Sequence, residues 1–217
     1  MTHDLDYIES QLKKRLPYKN LWFRKQDDVW DKRSAFIYDT PSWDDLVKKM
    51  EQTINRYQYD KKPYFYYTVN RWYNYWSAMA VEQLFTQATG IVPNPNPKSG
   101  QYDFMWNGIP FDHKTSVFPK GFRGGNAAAY AFAKANPEAL ATWLYTNQST
   151  GQRFHLKNRL FIICYANDGA HYKIKAEIGL LKTIIQSYIN TFDPSQLIRL
   201  QLQAKTETLT DIIWATV

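Results

Sequence analysis

Cysteine is nearly absent, with a single residue among 217. Cys164 has no partner for an internal disulfide and no thiol neighbour for a zinc site, and its place inside the apolar run LFIICYA reads as a core position. Long hydrophobic stretches are missing as well. Nothing approaches the ~20 consecutive apolar residues of a membrane span, and the opening MTHDLDYIES lacks the basic-then-apolar pattern of a secretory signal, so a cytoplasmic chain without membrane attachment is expected. No repeat and no low-complexity tail interrupts the sequence, and the glycine-rich PKGFRGG lacks the G-x-x-x-x-G-K spacing of a phosphate loop. Solenoids and P-loop enzymes are thereby excluded.

Positive charge and flat rings are what the chain has in excess. Lys plus Arg number 27 against 20 Asp plus Glu, a formal net charge of +7, and 17% of residues are aromatic. That balance suits a partner made of phosphates and bases, although rings also fill cores. The length fits one domain, 1–217, with a sizeable core.

Apolar positions at Leu5, Ile8, Leu12 and Leu16 predict a first helix that Pro17 stops. Thr40-Pro41-Ser42-Trp43-Asp44-Asp45 supplies a hydroxyl cap, an early proline and two acids for a second helix reaching about Tyr57. A third carries Val69, Trp72, Tyr73, Trp76, Ala80 and Leu84 three or four apart until Gly90. VPNPNPKSG then reads as a loop, because three prolines fit neither a helix nor a central strand.

Beyond it the period becomes two. Tyr102, Phe104 and Trp106 alternate with Asp103 and Met105, Asn107-Gly108 signals a tight hairpin, and Ile109, Phe111, His113 and Thr115 alternate with Asp112 and Lys114. An alanine-rich helix from Asn126, broken or kinked near Pro137, leads to RLFIICYA as a buried central strand. HYKIKAEIGL is expected to pair beside that strand, followed by a helix over 180–188 and mixed structure to the end.

A two-residue turn at Asn107-Gly108 would place Trp106 opposite Ile109, Phe104 opposite Phe111 and Asp103 opposite Asp112. The aspartates would then form a non-hydrogen-bonded pair, with Cα atoms about 4.5 Å apart. Like charges so close need something positive between them, and Mg²⁺ is commonly held by one or two carboxylates. Lys114 projects from the same strand face as Asp112, about 7 Å along, where an amine can orient a water or neutralise charge on a phosphoryl group. The plainer reading is an exposed ion pair between Asp103 and Lys114, worth under ~1 kcal/mol.

Glu82 on the Trp-rich helix, Asp103, then Asp112-His113-Lys114, an alanine-rich helix and RLFIICYA come in an order that resembles the PD-(D/E)XK, or restriction-endonuclease-like, nuclease superfamily. The resemblance covers about 69–167, and Tyr102 stands where the family's name-giving proline precedes the first aspartate. It implies an α/β fold of mixed α+β character, with a central mixed β-sheet flanked by helices. The catalytic core would span 69–167, between a helical N-terminal extension over 1–60 and C-terminal elements over 168–217. It further implies Mg²⁺, with Mn²⁺ as a possible substitute, bound by Asp103, Asp112 and the His113 backbone carbonyl. Glu82 would be an outer ligand or help hold a second ion, and Lys114 would position the attacking water. By strand parity the His113 side chain faces the aromatic side.

Lys98, Lys120, Arg123, Arg153, Lys157 and Arg159 flank this hairpin or the strand after it and are candidates for phosphate contacts. Gln148, Ser149 and His155 are candidates for base readout or for assisting the water. Each of these residues can equally be an ordinary solvated group. The expected function is a Mg²⁺-dependent endonuclease on double-stranded DNA, of the type II restriction kind and working as a homodimer. Repair or anti-phage nucleases on the same scaffold, a non-catalytic nucleic-acid-binding protein, and an enzyme for a small phosphorylated substrate are the alternatives.

Overall fold

The computed structural model describes residues 2–25, 28–96, 100–147, 157–203 and 206–217. The chain clusters into two units, Met1–Val81 with Lys175–Gly179 and Glu82–Ile174 with Leu180–Val217.

The first unit is helical. Asp4 caps α1 (Leu5–Lys13) by accepting from the N–H groups of Asp6 and Tyr7, α2 covers Asp28–Arg33, and Ser42 caps α3 (Trp43–Tyr57) as its sequence predicts. Gln58, at a left-handed φ of 52°, ends α3. The Trp-rich helix α4 is longer than the periodicity predicts, Lys61–Thr86, and its residues up to Val81 belong to this unit. Val69, Trp72, Tyr73, Trp76 and Ala80 are buried as the stripe requires, and the indole N–H groups of Trp72 and Trp76 donate to the Thr40 and Ile37 carbonyls.

The second unit is built on a six-stranded mixed sheet in the order β1-β2-β3-β4-β6-β5. The strands are β1 (Ile91–Pro93), β2 (Phe104–Trp106), β3 (Ile109–Val117), β4 (Arg159–Tyr165), β5 (Ile198–Gln203) and β6 (Thr206–Thr216). Strands β1, β2 and β3 run antiparallel, β3, β4 and β6 run parallel, and β5 closes the far edge antiparallel to β6. A parallel β3–β4 pair needs a crossover, which α5 (Ala127–Ala135) and α6 (Pro137–Asn147) provide, divided at Asn136. Their residues Ala129, Ala133, Leu140 and Leu144 pack with Phe161, Ile163 and Tyr165 of β4 and Ile212 of β6 on one face of the sheet. The other face carries Trp106 and Phe111 against Phe192, which follows α7 (Ile178–Thr191). The fold is thus the α/β arrangement of a mixed central sheet flanked by helices.

Three expectations are corrected. The Pro-Asn loop opens with β1, because proline is tolerated on an edge strand whose outer side has no partner. HYKIKAEIGL is no strand: residues His171–Ala176 form a 3-10 turn that leads into α7, which covers Ile178–Thr191 rather than 180–188. The place beside β4 is taken by β6, seven residues in register from Arg159↔Thr210 to Tyr165↔Thr216. Buried Thr208 and Thr210 hide this strand from a hydrophobicity reading.

Candidate metal centre

Two glycine-tolerant turn residues set the register of the hairpin. Asn107 and Gly108 have φ of 49° and 76°, as a type I′ turn demands, and the pairs Trp106↔Ile109 and Phe104↔Phe111 follow as the turn predicts. At Asp103 the ladder departs from the expected pairing with Asp112. The Asp103 N–H donates to the Phe111 carbonyl at 2.8 Å, whereas in a non-hydrogen-bonded pair it would point away from β3. The side chain turns with it, and Oδ2 accepts both the backbone N–H of His113 at 2.7 Å and its ring at Nδ1 at 2.8 Å. Asp103 and Asp112 are therefore not the cross-strand pair that the turn predicts.

His113 faces the aromatic side, as parity predicts, with its ring against Phe104 and Phe85 and its side chain only 5% exposed. Burial works to lower its pKa, but the Asp103 hydrogen bond and the charges of Asp103, Glu82 and Asp112 outweigh it and raise the ring above the usual histidine value. Burial likewise opposes ionisation of Asp103, and the bonds and charge of His113 prevail and hold that carboxyl below the ordinary range. The last turns of α4 bring Glu82 to the same place. Burial pushes its carboxyl up, the His113 charge opposes this, and the negative charges of Asp103 and Asp112 add to the rise. One ligand atom from each of Glu82, Asp103 and His113 lies within 4.8 Å of the others. The imidazole of His113 belongs to this group, a donor that the resemblance assigns only through its backbone carbonyl.

The adjoining face carries Asp112, Lys114 and Arg159. Asp112 Oδ2 accepts from Arg159 Nε at 2.6 Å and pairs with its terminal nitrogen at 2.5 Å, so the arginine named above as a phosphate contact is engaged by a carboxylate. The Arg159 guanidinium also lies 5.7 Å from the Tyr145 and Phe161 ring centres. Lys114 is held below the ordinary lysine pKa by burial and by the charge of Arg159, with Asp112 acting the other way. Burial pushes the Tyr145 phenol up to about 12, and its hydroxyl donates to the Lys157 carbonyl. Asn158 joins three strand starts: its carbonyl accepts from Asp112 N–H, its amide donates to Pro110 O and its side-chain oxygen accepts from Leu209 N–H.

Compared with protein-family models, curated proteins and solved structures, the chain matches none.

The structure brings Glu82, Asp103 and the His113 ring together, while Asp112 pairs with Arg159 on the face that also carries Lys114, with Tyr145 and Asn158 beside them. Arg159, a phosphate-contact candidate from its sequence position, instead pairs with Asp112, and Tyr145 and Asn158, which the sequence does not single out, reach the group only through the crossover and the parallel pairing. Lys157 lies two residues before β4, and its ammonium contacts the Gly100 carbonyl. Lys120 and Arg123 do not join the cluster. They follow the opposite end of β3, where Arg123 covers the Phe132 ring at 3.9 Å. Lys98, Gln148, Ser149, Arg153 and His155 lie outside the described residues.

Proposed function

We propose that this chain is a Mg²⁺-dependent endonuclease that hydrolyses DNA phosphodiester bonds, of the type II restriction kind, within the PD-(D/E)XK superfamily it resembles. The observation that carries this reading is the grouping of one ligand atom each from Glu82, Asp103 and His113 within 4.8 Å, next to the strand face that holds Asp112 and Lys114 at one end of the parallel β3–β4 pair. Further support comes from element order: a helix with its glutamate, an antiparallel hairpin with the aspartates, a helical crossover and a parallel strand, as the resemblance implies.

The donor set fits a hard cation. The negative charges of Asp103 and Asp112 disfavour ionisation of the partly buried Glu82 carboxyl, and a divalent ion relieves that repulsion. Glu82, Asp103 and Asp112 would hold Mg²⁺, which when bound lowers the pKa of a coordinated water and polarises a phosphoryl oxygen. Lys114, with its ammonium destabilised by burial, is suited to hold the attacking water and exchange a proton with it. Arg159 orients Asp112 through its two contacts, and the +7 net charge favours approach of a polyanion. Double-stranded DNA is the proposed substrate, cut on both strands by a homodimer.

Incubation with supercoiled plasmid tests this directly. Nicking and linearisation are expected in Mg²⁺ and not in EDTA, with Asp112→Ala and Lys114→Ala each at least 100-fold slower while unfolding at a similar temperature. Cleavage that survives both substitutions removes the site assignment. Salt-dependent DNA binding without cleavage in either Mg²⁺ or Mn²⁺ would instead mark a nucleic-acid-binding module. Discrete fragments separate a restriction enzyme from a repair nuclease, which leaves a smear.

A further inference from the structure

We propose that the His113 imidazole is a direct ligand of this centre, making it a mixed nitrogen and oxygen site that takes a first-row transition ion such as Mn²⁺ or Co²⁺ in preference to Mg²⁺. The inference rests on the metal-dependent reading of the cluster, and it assigns the ring a role that the resemblance leaves to the backbone.

Three observations carry it. The ring is nearly enclosed, yet it is aimed out of the Phe85 and Phe104 rings toward two carboxylates, and its ligand atom lies within 4.8 Å of one from Glu82 and one from Asp103. Its Nδ1 sits 2.8 Å from Asp103 Oδ2. Bonds of about 2.1 Å at right angles separate adjacent ligands of one ion by about 3 Å, so ring and carboxylate already have the spacing of neighbours in a coordination shell. Finally, Glu82 arrives from α4, so the three donors reach one place from a helix, the segment before β2 and β3. The partly buried Glu82 carboxylate completes the set.

Donor type then decides the metal. Imidazole nitrogen gains little from Mg²⁺, which keeps oxygen ligands and water, whereas first-row transition ions accept nitrogen and bind more tightly along the series.

The test measures binding without DNA. Titration calorimetry of the full chain with MnCl₂, CoCl₂ and MgCl₂ should give one site at which Mn²⁺ and Co²⁺ bind at least on the order of tenfold more tightly than Mg²⁺. His113→Gln should lower Mn²⁺ affinity on the order of tenfold or more and Mg²⁺ affinity less than threefold, and Glu82→Gln should weaken both. Should His113→Gln fail to fold, the wild type labelled in its four histidine rings keeps the matter decidable. Substoichiometric Mn²⁺ should then broaden the His113 ring signals before those of His3 and His171. Equal affinity for Mn²⁺ and Mg²⁺, parallel losses for both in His113→Gln, or an unbroadened His113 ring overturns the inference. Selective binding by a protein that cuts no DNA leaves this site standing and removes the nuclease reading. Mg²⁺-supported cleavage indifferent to His113→Gln does the reverse.

Discussion

Single residues show how far burial can oppose ionisation. Asp211 sits on β6 in the same row as His113, since β3 pairs His113 with Leu160 and β4 pairs Leu160 with Asp211. Burial raises its carboxyl, although the Tyr188 hydroxyl donates to it at 2.8 Å and the Ile212 N–H at 2.7 Å. The folded chain therefore keeps a proton there that the unfolded chain has released. Its contribution to stability is complete below the ordinary value of 3.8 and is lost as pH rises through the folded value. In urea unfolding at pH 4, 5, 6 and 7, Asp211→Asn should remove that decline relative to the wild type. A wild-type and variant difference that stays constant with pH would show that Asp211 does not titrate on folding. Among the site residues, Asp112 and Lys114 were legible because their spacing alone puts both on one strand face. The role of the His113 ring was not, because it depends on where Asp103 turns and on a helix that lies more than twenty residues earlier in the chain.

At the level of elements, turns and caps were legible and close approaches were not. Gly108 needs its positive φ of 76°, but a Cβ there would meet nothing within 4 Å. Gly125 combines a φ of 65° with a Cβ position only 2.5 Å from Lys120 Cα. Gly108→Ala should thus lose only the ~1–2 kcal/mol of a left-handed alanine, whereas Gly125→Ala should lose distinctly more because backbone has to move. Thermal unfolding of the two variants side by side checks this, and equal losses would refute the steric part. The same division explains the hairpin. Asn107-Gly108 dictates the register of the three pairs next to the turn, a local effect, while the bend at Asp103 accompanies the His113 hydrogen bonds, which the turn does not control.

For the molecule as a whole the decisive strand comes last in sequence. Strand β6 lies between β4 and β5 and supplies Ile212 and Trp214 to the α5–α6 face. Without it β4 becomes an edge and β5 loses its neighbour, so a chain ending at residue 205 is expected to show no cooperative unfolding transition, whereas removing Val217 alone leaves one. Circular dichroism during heating distinguishes the two. A sharp transition in the shorter chain would mean that β1 to β4 fold without β6.

Composition and period by themselves determined the helices α1 and α3, the apolar stripe of α4, the hairpin and the register of its three pairs nearest the turn, the split crossover helix and the buried strand β4. All of these follow from interactions between residues close in the chain, or from the simple need to hide apolar side chains. Tertiary structure alone decided which strand lies beside β4, that Arg159 neutralises Asp112, that Asp103 leaves the ladder for His113, and that Lys120 and Arg123 stand apart from the carboxylates. Those outcomes depend on contacts between residues far apart in sequence. Their energies come from burial and charge pairing in the folded chain, where a threonine can be as deeply buried as a leucine and a lone arginine can find its acid.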